Sequence, residues 1–572
     1  MSYRCKRWNV TPPAPEDVVQ EFSGKLGLSP LMAQILFNRG IGTRQDAEVF
    51  LDGEGASNDP FQLKGMHRAV HRIRQALRAG ESIAVYGDFD VDGITATAVL
   101  TETLRALGAK VRPYIPNRFN EGYGLNKDAL RGLAADGVTL VVTVDCGIRS
   151  PEEIADACKV GLDVIVTDHH SVGMPLPGAV AVINPKQSDC LYGFPDLAGV
   201  GVAFKLAQAL LRVNDKVPVC AGVTLVEKDL LDLVALGTVA DLVPLVGENR
   251  VLVKRGLRVL REMRRPGIRA MIELAGLRPE RMGASAISFV LGPRLNAAGR
   301  LDDAITSYEI LTSPDADRVA GLAHDLEQTN RERQRKTIDA LETARQQILT
   351  GPEGSLLLVA ADPGFPPGIV GLVAGRLTEE FYRPAIVIEV KDDYCRGSAR
   401  SIDEFDITGA LDCCQELLER HGGHALAAGF TVKTERLDTL LVRLHQIALD
   451  RLGGLELLPS VSIDAEVRLS DMSRETVEHL QQLEPVGTDN PPPLFMSRHL
   501  TVRNVRTVGA EGQHLKLSLY DGRTTREAIG FGLGALIGGL PNSVDAVYAL
   551  ELNDWNGEER LQLRLEDLRP TQ

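Results

Sequence analysis

Short apolar runs alternate with longer amphipathic segments over the stretch that begins near residue 82. The apolar runs predict strands at Ile83–Tyr86, Lys110–Tyr114, Leu140–Val144, Val164–Thr167 and Ala181–Ile183. Stretches such as Thr95–Leu107 and Lys127–Ala135 have helical spacing and predict helices between these strands. Apolar strands that alternate with helices are typical of a parallel, doubly wound sheet covered on both faces. Ligands of such sheets lie beyond the carboxyl ends of the strands.

The pattern changes three times along the rest of the chain. A mostly helical stretch runs from Gly199 to about Leu311, and the charged segment Asp317–Leu349 predicts one long solvated helix. Strand and helix patterns then return at Ser355–Ala360, Gly368–Thr378, Pro384–Glu389 and Thr408–Arg420. After the prolines at 491–493 come five β-like segments with turns such as Asp521-Gly522 and Asn556-Gly557: Leu500–Val508, His514–Tyr520, Arg526–Gly532, Asp545–Leu552 and Arg560–Leu568.

The predicted fold class is α/β, with two α/β domains joined by a long helix and followed by a C-terminal β-barrel. Five strands with hairpin turns are typical of a small barrel or a sandwich, and we predict an OB-fold barrel here. We predict an N-terminal helical segment over 1–70, a first α/β domain over 71–311, a connecting helix over 312–350, a second α/β domain over 351–455 and the barrel domain over 456–572.

Three acidic residues occupy a single turn directly after the first predicted strand, in the sequence Asp88-Phe-Asp-Val-Asp-Gly93. Asp145 follows another predicted strand, and Asp168-His169-His170 follows a third. Carboxylates repel one another and resist loss of solvent, so a fold rarely gathers them without cations. Carboxylate oxygens with an imidazole nitrogen favour Mn²⁺ or a similar ion over Ca²⁺. We therefore predict a metal site with these ligands: Asp88, Asp90, Asp92, Asp145, His169 and, from the apolar segment 236–244, Asp241.

The predicted cofactors are two divalent cations, Mn²⁺ or Mg²⁺. Two such ions about 3.5–4 Å apart acidify water and stabilise an in-line phosphoryl displacement. Asp90, Asp92 and Asp145 would then be catalytic as well as metal-binding, and His170 would donate a proton to the leaving oxygen. Any one of these acids alone is equally explained by a loop or helix cap. Asp168 has the alternative role of orienting a neighbouring histidine.

Arginines among small residues predict phosphate contacts, because guanidinium groups bind phosphate oxygens bidentately. Arg294, Asn296 and Arg300 lie in Gly292–Leu301, which predicts a turn rich in Gly and Ala. A tight turn beside a surface arginine is the alternative interpretation.

Two further segments have the same character. Arg396–Ser401, which contains Ser398 and Arg400, predicts a small-residue loop. His421–Gly429, which contains Gly423 and His424, predicts a glycine-rich approach to a helix N-terminus, which suits an anion. A second metal site at His421 and His424 is a minor alternative.

Composition and charge limit the class of protein. No apolar run in the 572 residues approaches the ~20 needed to span a bilayer, so no membrane association is expected. The eight cysteines show neither a CxxC spacing nor a disulfide pattern, which favours the cytoplasm. The net charge is −14, yet residues 250–300 hold twelve basic and three acidic residues. That stretch fits either a binding groove or solvated helix faces. The absence of a heptad seam favours a monomer.

Several motifs together resemble the DHH phosphoesterases and, within them, the RecJ single-strand-specific DNA exonucleases. They cover nearly the whole chain, in the family's order: Tyr86–Gly93, Pro116–Gly124, Val144–Gly147, Asp168–His170, Gly237–Asp241, Pro293–Arg300 and Gly422–Gly429. Their order and the long helix resemble the family's DHH domain, linker and DHHA1 domain. The last segment, ending in Leu561–Pro570, resembles its OB domain.

The resemblance implies metal-dependent, processive 5′→3′ degradation of single-stranded DNA to mononucleotides in recombination and repair. It implies cooperation with a single-strand-binding protein and a helicase. It also implies metal ligands at Asp90, Asp92, Asp145, His169 and Asp241, with His170 as a catalytic partner. The predicted nucleic-acid-binding set, completed by two residues of the same motifs (Asn296 and Gly423), is Arg118, Arg294, Asn296, Arg300, Ser398, Arg400, Gly423 and His424.

The sequence departs from the family pattern at two places. A Trp-His-Pro-Gly turn of the family is Phe365-Pro-Pro-Gly368 here, and a Gly-x-Gly-Asn turn is Gly487-Thr-Asp-Asn490. The first change removes a histidine that could contact DNA, and the second is expected to alter only a turn. Two other functions stay open from the sequence: a phosphodiesterase of short oligonucleotides or cyclic dinucleotides, and a non-catalytic DNA-binding scaffold.

Overall fold

A computed structural model describes residues 3, 6–52, 57–118, 121–122, 124–301, 303–352, 354–555 and 558–571, with residues 554, 555 and 558 described by their backbone alone. Part of the Pro116–Gly124 motif and the predicted Asn556-Gly557 turn lie outside this range. The chain divides into two compact units. One unit contains almost all of residues 8–327 and 462–572, and the other contains residues 328–461.

The first unit opens with a strand and three helices: β1 (Arg7–Val10), α1 (Glu16–Leu26), α2 (Pro30–Asn38) and α3 (Arg44–Asp52). Ser29 caps α2 by accepting a hydrogen bond from the backbone N–H of Met32 (3.2 Å), and Pro30 occupies the first helical position. Apolar side chains of these helices, such as Phe22 and Leu36, pack in one core with the C-terminal barrel.

A five-stranded parallel sheet follows, in the strand order β3-β2-β4-β5-β6. Its strands and helices, in chain order, are α4 (Met66–Ala79), β2 (Ser82–Tyr86), α5 (Val91–Ala106), β3 (Lys110–Tyr114), α6 (Lys127–Ala135), β4 (Val138–Val144), α7 (Pro151–Lys159), β5 (Asp163–Thr167) and β6 (Ala181–Ile183). Alternate residues of β2 enter different cores, Ile83 and Val85 on one face and Ala84 and Tyr86 on the other. Both faces are therefore covered, and the predicted doubly wound sheet is confirmed.

Helices complete this part of the unit: α8 (Gly199–Lys216), α9 (Leu231–Ala240), α10 (Gly247–Arg261), α11 (Pro266–Leu274), α12 (Ala284–Ala286), α13 (Gly292–Leu301) and α14 (Ile305–Thr312). A π-helical turn, Ile287–Leu291, leads into α13. The predicted turn at Gly292–Leu301 is therefore wrong, because this segment is helical. The predicted long helix is α15 (Ala316–Thr350), which crosses the division between the units.

The second unit is a mixed sheet of strand order β10-β11-β9-β8-β7, in which β7 and β8 alone are parallel neighbours. Its elements are β7 (Leu358–Asp362), α16 (Val370–Phe381), β8 (Ala385–Glu389), β9 (Tyr394–Arg400), α17 (Ile407–Asp412), β10 (Leu418–His424), β11 (Ala427–Lys433) and α18 (Leu437–Leu452). Three predictions are corrected here. The segment Arg396–Ser401 is mostly strand β9, the segment His421–Gly429 is a hairpin, and the helix predicted over Thr408–Arg420 ends at Asp412.

The C-terminal part of the chain forms a closed barrel within the first unit. The elements are β12 (Ser460–Ile463), β13 (Ala465–Glu466), α19 (Arg474–Leu480), β14 (Phe495–Val508), β15 (His514–Tyr520), β16 (Thr525–Gly530), β17 (Ser543–Trp555) and β18 (Glu558–Pro570). The order β14-β15-β16-β18-β17 closes through pairing of β17 with β14. Five strands in one closed sheet confirm the predicted OB-type barrel.

One buried arginine joins the barrel region to the helices behind the parallel sheet. Arg250 of α10 donates hydrogen bonds to the backbone carbonyls of Phe50, Gln482, Leu483 and Pro485 at 2.8–3.1 Å. Its guanidinium also lies 3.8 Å from the centroid of the Phe50 ring. The altered Gly487–Asn490 turn lies next to this contact and is closed by hydrogen bonds between its first and last residues. No helix within the described ranges has the length and hydropathy required to cross a membrane.

Candidate metal centre and nucleic-acid contacts

The carboxyl ends of β2, β4 and β5 bring the predicted acidic residues together. Asp88, Asp90 and Asp145 place ligand atoms within 4.8 Å of one another, and Asp92, His169 and Asp241 do the same. Asp145 also groups with His169 and His170. All six predicted metal ligands and the predicted catalytic histidine therefore lie in one cluster. Among the described residues, groups of this kind occur only here, and neither His421 nor His424 belongs to one.

Helix termini and tight turns hold the carboxylates. The backbone N–H groups of Gly199 and Val200, at the start of α8, donate to the two oxygens of Asp92 at 2.7 and 2.8 Å. Asp90 caps α5 by accepting from the backbone N–H of Gly93 (3.0 Å). Asp145 has a φ of +60°, a strained value for a residue other than glycine, and such strain is typical of functional sites.

Mutual repulsion and burial shift the acidity of the cluster. Burial and the neighbouring Asp90 raise the pKa of Asp88 to about 8 and that of Asp92 to about 7. Burial, then Asp92 and Asp90, raise the pKa values of Asp145 and Asp241 well above the ordinary range. These carboxyls therefore bind protons where cations would otherwise balance their charge.

Two unsatisfied atoms show that the cluster fits a cation. His169 Nε2 lies 3.1 Å from Asp145 Oδ1, and both atoms are buried without a hydrogen-bond partner. Burial and the adjacent His170 lower the pKa of His169 to about 3, so its imidazole is neutral and offers a lone pair. A hydrogen bond to the backbone of Leu197 orients the ring. Carboxylate oxygens and one neutral imidazole suit Mn²⁺ or Mg²⁺.

Asp168 orients His170, as one of the two sequence interpretations proposed. Its Oδ1 lies 2.8 Å from His170 Nδ1 and accepts from the backbone N–H groups of His169 and His170. Its Oδ2 accepts from the backbone N–H of Ile148 (2.9 Å). Burial lowers the pKa of His170, but the hydrogen bond to Asp168 outweighs this effect and leaves the pKa above its ordinary value. His170 is therefore suited to donate a proton.

Part of the predicted nucleic-acid set lies at this cluster. Burial lowers the pKa of Arg118, and the nearby charges of Asp88 and Asp90 act in the opposite direction. The guanidinium of Arg118 lies 4.9 Å from the centroid of the Phe89 ring. Asn296 Oδ1 accepts from the backbone N–H of Val91 (3.2 Å), so α13 rests on the acidic loop. Arg294 donates hydrogen bonds to Glu327 and to the carbonyl of Val290. Arg300 lies at the end of the same helix.

The rest of the predicted set lies in the second unit. Ser398 and Arg400 share one face of β9, and a Cβ on Gly371 would lie 3.0 Å from Ser398 Oγ and 3.1 Å from Arg400 Nη2. These groups therefore adjoin the start of α16. Gly423 and His424 lie at the end of β10, and a Cβ on Gly423 would lie 2.2 Å from the carbonyl oxygen of Ala427. Phe365, at the first departure from the family pattern, is buried in the core of this unit.

Two glycines that the sequence analysis did not assign to the site determine its shape. A Cβ on Gly199 would lie 2.5 Å from Asp145 Oδ1, and a Cβ on Gly237 would lie 2.9 Å from Asp92 Oδ1. Gly237 belongs to a motif quoted above, and Gly199 opens a helix after an apolar segment. The place of Gly237 in that motif and of Gly199 at a helix start are the sequence features that could have assigned these glycines to the site.

A parallel sheet with this acidic and histidine cluster, a second α/β domain and an OB-type barrel define a DHH-type phosphoesterase. Family models agree: the DHH family N-terminal domain matches residues 82–238, the DHHA1 domain matches 354–449 and the RecJ OB domain matches 463–567. The single-stranded-DNA-specific exonuclease RecJ of Bacillus subtilis is 39% identical over 570 residues, which is 98% of this chain and 70% of that protein. The chain belongs to the RecJ family.

Solved structures of the family have the same fold. RecJ from Thermus thermophilus in complex with Mn²⁺ matches with a TM-score of 0.86 and 30% identity, over 100% of this chain and 80% of that one. The same protein in complex with Mg²⁺ matches with a TM-score of 0.80 and 29% identity, over 99% and 79% of the two chains. Both ions are those that the ligand set described above suits.

Proposed function

We infer that the protein is a metal-dependent exonuclease that hydrolyses single-stranded DNA. The observation that carries this inference is the buried cluster at the carboxyl edge of the sheet, with Asp145 Oδ1 and His169 Nε2 unsatisfied and facing each other. The cluster lies in a chain that is similar along 98% of its length to a single-stranded-DNA-specific exonuclease. Family membership supports roles in recombination and DNA repair.

We propose that the enzyme degrades its substrate with 5′→3′ polarity to mononucleotides. The resemblance to the family supports this direction, and the chemistry of the cluster is compatible with either direction. We also propose a cytoplasmic monomer that cooperates with a single-strand-binding protein and a helicase. For the domains we propose the limits 1–70, 71–311, 312–350, 351–455 and 456–572.

We propose that Asp88, Asp90, Asp92, Asp145, His169 and Asp241 hold two divalent cations, Mn²⁺ or Mg²⁺. When bound, such ions neutralise phosphate oxygens and make water more acidic. The chain's own contribution begins with His170, whose ring Asp168 orients and whose pKa the hydrogen bond to Asp168 raises. We assign His170 as the proton donor to the leaving oxygen, and a positioned general acid contributes about 10²–10⁴-fold to a rate.

Phosphate groups of the strand are assigned to Arg118, Arg294, Asn296, Arg300, Ser398, Arg400, Gly423 and His424. The contact of Arg118 with the acidic loop supports its assignment most directly. Arg400 is supported by burial, which lowers its pKa and leaves a desolvated cation suited to an anion.

The test uses a single strand labelled at its 5′ or its 3′ end and the matching blunt duplex, each with Mn²⁺, with Mg²⁺ and with a chelator. Immediate release of the 5′-labelled mononucleotide, dependent on metal and absent for the duplex, is expected. Asp145→Asn should abolish release, whereas Asp136→Asn, at the surface after α6, should not. Cleavage of very short oligonucleotides alone would instead indicate an oligonucleotide phosphodiesterase. Binding without cleavage under every condition would indicate a scaffold.

A further inference from the structure

A tight turn directly after β6 presents one lysine to solvent beside the metal centre. Strand β6 is parallel to β5 and ends next to it, at the carboxyl edge of the sheet. The backbone N–H of Asp168 donates to the carbonyl oxygen of Ile183 (3.0 Å), which joins the two strand ends. Of the four residues 184–187 that follow, Lys186 alone is exposed, and the other three are buried.

A buried asparagine connects this turn to the proposed proton donor. Asn184 donates through Nδ2 to the carbonyl oxygen of His170 (2.9 Å), and its Oδ1 accepts from the backbone N–H of Lys186 (2.8 Å). The side-chain amide of Gln187 donates to the carbonyl oxygens of Val182 and Asn184 at 3.1 and 3.2 Å. The backbone that carries Lys186 is therefore fixed relative to His170 and does not belong to a free loop.

The charge of Lys186 acts on one group of the predicted metal ligands. Burial has the largest effect on the pKa values of His169, which it lowers, and of Asp241, which it raises. The positive charge of Lys186 is a smaller effect that lowers both pKa values, so this charge lies near both side chains. Within the described residues Lys186 forms no ion pair with a carboxylate, which leaves its ammonium group able to bind an anion.

A second cation has the corresponding relation to another group of ligands. Two of the ligand groups are Asp88 with Asp90 and Asp145, and Asp92 with His169 and Asp241. The charges of Asp88 and Asp90 act on Arg118, whereas Lys186 acts on the group that contains His169. One cation therefore lies beside each group, and a phosphodiester bound across both groups would have oxygen atoms near each cation.

We propose that Lys186 binds a phosphate of the DNA strand on the side of the metal centre formed by His169 and Asp241. The proposal rests on the proposed function and adds a residue to the strand contacts assigned there. A lysine ammonium is a compact charge with three rotatable donors, and it binds phosphate oxygens as a point charge. Phosphate contacts position a strand without reading its sequence, which suits a nuclease that acts on any sequence.

The first experiment measures binding of a fluorescent single strand in Mn²⁺ on a His170→Gln background, where slow cleavage keeps the strand intact. Lys186→Ala should weaken binding by about 10-fold, the lower end of the range for one hydrogen bond to a charged group. The slope of log K against log salt concentration should become shallower by about 0.7, the value for one phosphate contact with a single strand. Lys186→Arg should restore both quantities. Lys110→Ala, which removes an exposed lysine at the opposite edge of the sheet, should change neither.

The second experiment locates the phosphate that Lys186 contacts. A methylphosphonate linkage, which has no charge, replaces each of the first phosphodiesters of the strand in turn. The difference in affinity between Lys186→Ala and its parent should disappear when one particular linkage is replaced. A difference that persists at every position would indicate a general electrostatic attraction and overturn the contact.

Failure of this contact is distinguishable from failure of the proposed function. Affinity and salt slope of Lys186→Ala equal to those of its parent, together with metal-dependent cleavage by wild type, would overturn the phosphate contact alone. A shallower salt slope for Lys186→Ala without any cleavage by wild type would overturn the exonuclease and keep the contact. Lys110→Ala with the same loss of affinity and slope as Lys186→Ala would overturn the assignment to Lys186, because position would then not matter.

Discussion

Replacing Gly199 by alanine tests whether the shape of the metal centre depends on this missing side chain. The new Cβ would lie 2.5 Å from Asp145 Oδ1 and 2.7 Å from its Cγ, against ordinary contacts of 3.4 Å or more. The carboxylate must therefore move by about 0.7–0.9 Å, the difference between these distances. A displacement of about 1 Å in a reacting group costs on the order of 10²-fold in rate. We expect a loss of this size in single-turnover cleavage and weaker binding of Mn²⁺.

Helix propensity alone predicts that alanine at position 199 stabilises the protein, whereas the steric argument predicts slower cleavage and weaker Mn²⁺ binding. The two effects are therefore distinguishable. Gly199 is the first residue of α8, and alanine favours a helix over glycine by up to about 1 kcal/mol. The matched control is Gly201→Ala on the same helix, where the new Cβ meets only the flexible side chain of Leu197, at 3.3 Å. Calorimetric titration with Mn²⁺, circular dichroism and cleavage of a labelled strand are compared for both variants. A folded Gly199→Ala protein with wild-type metal affinity and rate would refute this steric argument.

Three further predictions follow from other contacts. Asp168→Asn removes the carboxylate that raises the pKa of His170, so the fall of activity at high pH should begin at lower pH in a pH–rate profile; an unmoved alkaline limb would argue against His170 as the acid. Asp88 and Asp92 have folded pKa values of about 8 and about 7, above their ordinary value, so they stabilise the metal-free protein at low pH and lose this effect as pH rises through about 7–8. Thermal unfolding of chelator-treated protein should therefore shift to lower temperature between about pH 5 and 8.5, more than that of Mn²⁺-loaded protein, and equal shifts would contradict the assignment. Arg250→Ala should lower the free energy of unfolding by about 3–5 kcal/mol in urea because four backbone carbonyls, three of them in buried hydrogen bonds, lose their donor. A loss below about 1 kcal/mol would show that water replaces the guanidinium.

The parallel sheet and its acidic edge were predictable because both depend on local pattern. An apolar run fixes where a parallel strand ends, and Asp88, Asp145 and Asp168 follow such ends directly in the sequence. Parallel strands bring their carboxyl ends to one edge whatever the details of packing. Proximity of these residues therefore follows from the fold class alone, whereas Asp241 was predicted from a different signal, an acidic residue inside an apolar segment.

The arginine-bearing segments were not predictable because glycine has more than one use. The sequence around Gly299 and Gly397 predicts turns, but these residues lie in a helix and a strand where another chain segment approaches closely. A Cβ would lie 2.5 Å from the Phe89 carbonyl oxygen in the first case and 2.1 Å from the Phe430 ring in the second. Such approaches are tertiary, so no local pattern distinguishes them from turn glycines.

The role of the basic stretch of residues 250–300 was likewise not predictable from its charge, because that role depends on tertiary contacts. Arg250 is fully engaged by backbone carbonyls, and Arg265 is bonded to Glu102 and Asp232. Neither side chain faces a solvent groove in the described part of the unit. Both possibilities left open by the sequence, a groove or solvated faces, therefore miss the main use of these two arginines, which is to hold helices together. A count of charged residues does not show which groups each arginine contacts, and those contacts decide whether it binds a ligand, faces solvent or holds helices together.

At the metal centre, backbone N–H donors surround a cluster of carboxylates that carries more negative charge than these donors can balance. Backbone N–H groups from the start of α8 donate to Asp92, and those of residues 148, 169 and 170 donate to Asp168. These donors cannot balance the whole cluster, because the pKa values of Asp145 and Asp241 remain well above the ordinary range. Without cations the site must therefore hold protons, and divalent ions must displace them on binding. Metal affinity should rise with pH for the same reason that metal-free stability falls, since both express one excess of buried negative charge.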